Sequence, residues 1–149
     1  GPWLTGGMTQ ATTGNEIDPA GVSHPIHYNA HPSGIECIDL IRGLHFNIGS
    51  AVKYVMRRGL KDDPIKDLSK AEYYLGDHLF SGKTGYGMPV RRSPAIPAGD
   101  LGGRWRWDKV IAAEPDLHVR EFYLAVSRFD LHTALATVRV LIAEAEADR

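Results

Sequence analysis

A chain of 149 residues is long enough to bury one hydrophobic core and short for two. Its 17 basic and 18 acidic side chains leave a formal charge of -1, which excludes a surface built throughout to hold a polyanion, so no long nucleic acid is expected and any anion must meet a local patch. Cys37 is the only cysteine, which excludes an intrachain disulfide and fits a reducing cytoplasm, and no apolar run approaches the roughly 18 to 20 residues that span a bilayer, so no membrane partner is expected.

Gly1 to Gly7, "GPWLTGG", reads as a protease-cleavage remnant and linker, with Met8 the expected natural start and no secretory leader. Met8 to about Ala20 is small and polar without periodicity, a flexible arm, so residues 1–20 are set apart from one helical domain over 21–149. Ser33 is the expected N-cap of a short helix, "GIECIDLIRGL", closed by Gly43 or its neighbours. A second helix is predicted from about Phe46 to Arg58 with Gly59 as its C′ residue, because Ile48, Ala51, Val52, Val55 and Met56 recur at helical period. A third starts at Asp63 as cap and Pro64 at the first helical position, with Ile65, Leu68, Leu75 and Leu79 inward and Glu72 interrupting them.

The segment 81–103 carries six glycines and three prolines in 23 residues and is predicted as a loop. Beyond it, over 104–149, "RWDKVIAAEP" supplies a short helix, and "DLHVREFYLAVSRF" places Val119, Phe122, Tyr123 and Val126 on one face. After Asp130 as cap, Leu131, Ala134, Leu135, Val138, Leu141, Ile142 and Ala145 form the longest stripe. The expected fold is mostly α, a compact helical domain of five to six helices with a long Gly/Pro-rich loop. The C-terminal helix, from Leu131 to about Ala147, is the expected contact of a homo-oligomer.

"AVKYVMRRGLKD", Ala51 to Asp62, places Lys53, Arg57, Arg58 and Lys61 within nine residues. At about 100° per residue, Lys53 and Arg57 stack one turn apart, opposite the apolar stripe, with Ser50, Tyr54 and Arg58 flanking them. Arg offers a planar fork for phosphate oxygens, Lys a mobile point charge and Tyr a surface for a base. Cations near a helix C-terminus also complement the macrodipole, so a plain solvated face has the same sequence signature. On the third helix Asp67, Lys70, Tyr74 and Asp77 share one side, and antiparallel pairing would set Asp67 and Lys70 near Lys53 and Arg57.

Three other signals carry less. "GKT" at Gly82 to Thr84 lacks the glycine five residues earlier and follows a helix, not a strand, so it is no P-loop. His24, His27 and His31 are closely spaced but interrupted by Pro25 and Pro32, which fits packing or surface histidines better than a metal set. Glu36 and Asp39 lie at i, i+3 and, with Asp67 or Glu72, are the candidate Mg²⁺ ligands. Helical nucleotide pyrophosphohydrolases of the MazG type hold metal in a similar way, but "KDLSKAEYYLGD" has no Glu-x-x-Glu or Glu-x-x-Asp pair.

The stretch from His27 to Leu75, with "HY", "IECIDLI", "FNIGSAVKYVMRRGLK" and "DLSKAEYYL" in order, resembles a small phage domain of formerly unknown function. That family includes a nucleotide kinase that acts on deoxynucleoside monophosphates without a P-loop. The matching polar spine includes His27, Tyr28, Glu36, Lys53, Tyr54, Arg57, Lys61, Asp67, Lys70 and Tyr74.

The resemblance implies deoxynucleotide recognition, phosphoryl transfer from a nucleoside triphosphate, and a place in the cytoplasm of an infected bacterial host. Lys53, Arg57 and Lys70 would then surround the transferring group with positive charge, backed by Arg58 and Lys61. Tyr54 or Tyr28 would stack on the base, Tyr74 beside them, and His27 would donate to a phosphate oxygen. Asp67 or Glu36 would orient the acceptor or a Mg²⁺, and Arg91 and Arg92 would close over the ligand from the loop. The alternatives are a nucleotide-sequestering protein acting on a host signal, using the same basic face without catalysis, and a MazG-like hydrolase.

Overall fold

The computed structural model describes residues 31–81 and 101–149. Six helices lie among them: α1 (Cys37–Ile41), α2 (Phe46–Arg57), α3 (Pro64–Phe80), α4 (Leu101–Ala113), α5 (Leu117–Ser127) and α6 (Leu131–Ala147). No described helix is long and apolar enough to cross a membrane.

Local chemistry sets most of the boundaries. The Asp63 carboxylate accepts from the Ile65 N–H at 2.8 Å and Pro64 occupies the first turn, so α3 starts where its sequence says. Asp116 caps α5 through the N–H groups of His118 and Val119, and Asp130 caps α6 through that of Thr133. Gly59, at φ +74°, ends α2 in the left-handed region that a side chain would strain.

Two boundaries differ from the sequence expectation. Ser33 does not cap α1, whose N-cap position is Glu36. The Ser33 hydroxyl instead accepts from the Ile35 N–H at 3.0 Å and lies 2.8 Å from His31 Nδ1, closing a turn before the helix begins. The predicted loop over 81–103 also gives way at its end, where residues 101–103 already belong to α4. Glycines are cheap in a first helical turn, because its N–H groups have no intrahelical partner anyway. The rest of that loop lies outside the described residues.

The helices close a ring in which α1 packs on α2, α2 on α3, α3 on α6, α6 on α5, α5 on α4, and α4 returns to α1. The α2–α3 pair is antiparallel, since Arg57 meets Asp67 near one end while Asn47 donates to Asp77 near the other. The α3–α6 pair is antiparallel as well: Phe80 meets His132, Glu72 meets Arg139, and Asp63 meets Arg149. The core fills the ring with Ile48, Val52, Val55, Leu75, Phe122, Tyr123 and Val138 among its fully buried members. Each of these large apolar side chains contributes about 1.5–3 kcal/mol of transfer free energy.

Two consequences bear on function. Nine of the twelve α2 residues are buried, Arg57 among them, so α2 is a central helix and not one with a broad solvated side. The inward stripe of α6, Leu131, Ala134, Leu135, Val138 and Leu141, is buried within the chain, where the helix packs on α3 and α5.

Candidate functional site

The antiparallel α2–α3 pair gathers cations around one ring. Lys53 Nζ lies 4.7 Å from the centroid of the Tyr54 ring, Arg57 Cζ 4.9 Å and Lys70 Nζ 5.1 Å. Lys53 and Arg57 reach it along α2, Lys70 from across the helix pair. Points this close to one centroid all lie within about one Debye length, roughly 8–10 Å, of each other, so the three charges act as one patch. Attraction to the ring is worth about 0.5–1 kcal/mol per cation at such a site.

Carboxylates compensate one of the three. Arg57 donates to Asp67 at 3.3 Å and to Asp62 at 3.2 Å, and Asp67 also accepts from the Gly59 N–H at 3.3 Å. Arg57 is 5% exposed and Asp67 is fully buried. The sequence placed Arg57 and Asp67 at a reactive centre; the structure makes them an ion pair between α2 and α3. This ion pair locks the end of α2 to the start of α3, with the Asp67 carboxylate tied to both the guanidinium and the turn. Lys53 and Lys70 differ: neither ammonium has a carboxylate within ion-pair distance among the described residues.

The rings extend the patch. Tyr54 and Tyr74 are parallel within 4° at 6.0 Å, and Tyr74 makes edge contacts with Phe46 at 5.7 Å and Tyr73 at 5.4 Å. Tyr54, expected to carry a base, has three cations and Tyr74 around its ring.

The remaining predicted residues do not join this face. Arg58 turns elsewhere: it donates to the Val55 carbonyl at 3.0 Å and lies 4.0 Å from the Glu114 carboxylate. Lys61 is exposed on the turn between α2 and α3. Glu36 stands at the N-cap of α1 without a side-chain capping bond, Asp39 is held by Arg42 at 2.9 Å, and Glu72 by Arg139 at 2.9 Å. With Asp67 committed to Arg57, these carboxylates do not fit a Mg²⁺ centre, and no group of three or more His, Cys, Asp or Glu among the described residues is placed to hold a metal. His24, His27, Tyr28, Arg91, Arg92 and the Gly82 to Thr84 segment lie outside the described residues.

One buried polar cluster had no sequence signal, because its members are 83 residues apart. His31 and Glu114 are hydrogen-bonded at 3.1 Å with both side chains 4% exposed. His31 Nδ1 accepts from the Ser33 N–H at 3.1 Å, which leaves Nε2 as the donor to Glu114. Burial pushes the Glu114 carboxyl upward, but the bonds from His31 and the Asp116 N–H and the nearby Arg58 charge outweigh it and hold it below the usual range. A cavity of about 440 Å³ opens beside this cluster, lined by His31, Met56, Arg58, Leu60, Pro64 and Glu114 among others. The cluster ties the segment before α1 to the end of α4; with every oxygen of Glu114 engaged, it reads as a structural latch.

Residues 22–76 match a protein family described as of unknown function, DUF3310. The match covers a little over a third of the chain and contains the whole cationic and aromatic face. No curated protein and no solved structure matches the chain.

Proposed function

We propose that this chain binds a nucleotide on the α2–α3 face, its phosphate drawn to Lys53 and Lys70, and transfers a phosphoryl group from a nucleoside triphosphate to a deoxynucleoside monophosphate. Binding rests on one observation: three cations converge on the Tyr54 ring, and two keep uncompensated charge among the described residues. An ammonium at the rim of an aromatic cluster suits a ligand with an anionic and a flat end. The transfer step rests on the likeness to the phage domain. Such chemistry needs mainly positioning and positive charge, which the two lysines supply. Arg57 acts behind them, keeping α2 and α3 in register.

A second reading, a protein that holds a nucleotide without reacting it, is favoured by the state of Asp67. A carboxylate fully buried against Arg57 and the Gly59 N–H is not placed to orient an acceptor hydroxyl. Incubation with each deoxynucleoside monophosphate and a triphosphate donor separates the two. Diphosphate product that vanishes in Lys53→Ala and Lys70→Ala supports the kinase; tight binding with the ligand recovered unchanged supports the holder. Pyrophosphate released from a triphosphate alone would contradict both.

A further inference from the structure

A mononucleotide uses one flat surface, and the α2–α3 face offers more than one. Tyr54 is already covered by its cations and by Tyr74. The rings left open are Phe46, 71% exposed at the start of α2, and Tyr73, 66% exposed on α3. Each meets the half-buried Tyr74 edge-on with centroids within 6 Å, so the two flank one shared support. Single exposed aromatics are ordinary, but two open rings braced on a third, beside two uncompensated ammonium groups, form a continuous surface.

Resting on the nucleotide reading above, we propose that this surface takes two or more consecutive nucleotides, so that a short single-stranded oligonucleotide binds it in addition to a mononucleotide, and more tightly. Bases stack on Phe46 and Tyr73, each of which presents an open ring to any base. Lys53 and Lys70 attract the phosphates that join them. Charge complementarity selects this occupant: Lys53 and Lys70, neither with a carboxylate within ion-pair distance among the described residues, face the linking phosphates of a chain whose bases meet the open rings. The near-neutral balance also limits the contact to a few nucleotides, since no wide basic surface backs the patch.

The test uses the full chain in competition fluorescence anisotropy, with 5′-phosphorylated deoxyhexanucleotides of each base against the corresponding mononucleotides. The best hexanucleotide is expected to bind about tenfold tighter than its mononucleotide. Because a single base occupies only one ring, at least one of Phe46→Ala and Tyr73→Ala should change mononucleotide affinity less than about twofold, while each removes about tenfold of hexanucleotide affinity. Phe46→Trp, which keeps a stacking surface, should restore it. Both positions are exposed, and circular dichroism checks that the fold is kept.

Equal affinity for hexanucleotide and mononucleotide, or no effect of either alanine variant, overturns this inference and leaves the nucleotide reading intact. Failure of every nucleotide to bind overturns both. A self-association in sedimentation velocity that Phe46→Ala and Tyr73→Ala abolish, with no oligonucleotide preference, would give the surface to a second copy and overturn the inference as well.

Discussion

Replacing Asp67 by Asn separates a structural carboxylate from a reactive one. The substitution keeps the shape and one acceptor but removes the charge, and turns an amide N–H₂ toward either Arg57 or the Gly59 N–H, both donors. Breaking a buried ion pair by removing one partner costs about 3–5 kcal/mol. Asp62, whose side chain is 31% exposed, still holds one guanidinium nitrogen at 3.2 Å, which places the loss at the lower end, about 3 kcal/mol. At about 2–4 °C per kcal/mol for a chain of this size, Tm should fall by roughly 6–12 °C. Urea unfolding gives the free energy directly. The double variant Arg57→Met/Asp67→Leu should recover most of the loss, because it removes both charges together. An Asp67→Asn protein within about 0.5 kcal/mol of the parent would refute this reasoning. If that protein had also lost activity, the carboxylate would belong to the chemistry after all.

Three further outcomes follow from buried groups. Glu114 has a lowered pKa in the fold, so its contribution is present above the unfolded carboxylate range and is lost as pH falls through the folded value. Glu114→Gln should therefore flatten the acid limb of stability measured by urea midpoint from neutral pH downward; an unchanged slope would count against the latch with His31. The Cys37 thiol is buried and its pKa is pushed up to about 12, with nearby Lys53 only partly opposing the burial. It should resist a thiol reagent at pH 8 in the folded chain and react fully in urea, and being the sole cysteine it gives one unambiguous signal. The Tyr123 hydroxyl is fully buried with no hydrogen-bond partner among the described residues. Tyr123→Phe should be neutral or stabilising by up to about 1 kcal/mol, whereas a loss of more than that in urea would reveal a bond the hydroxyl makes.

Where cap chemistry and apolar period agree, the helices were legible. Asp63 with Pro64 and Asp130 each start the helix they were expected to start, and Gly59 ends α2. The placing of Asp67 and Lys70 near Lys53 and Arg57 followed from the same reading, because a short turn between two helices favours antiparallel packing. Burial was harder to read. A helical wheel puts Arg57 opposite the apolar stripe, and only the covering by α3, with a carboxylate aimed at the guanidinium, makes that position interior. Ser33 carries a cap's side chain but spends it on a turn with His31, whose other nitrogen answers to Glu114 far along the chain. Long-range partners of this kind leave no periodicity to detect. The α6 stripe was visible, but whether it meets another subunit or this chain's own α3 depends on topology, which a single stripe does not encode.

The most direct measurement is isothermal titration of the four deoxynucleoside monophosphates into the full chain and into its Lys53→Ala and Lys70→Ala variants. At least one nucleotide should bind the parent chain, each variant should bind it about tenfold or more weakly, and the difference should shrink as salt rises. Affinity that is undetectable for all four, or identical in parent and variants at low salt, would contradict the assignment of this face to a nucleotide.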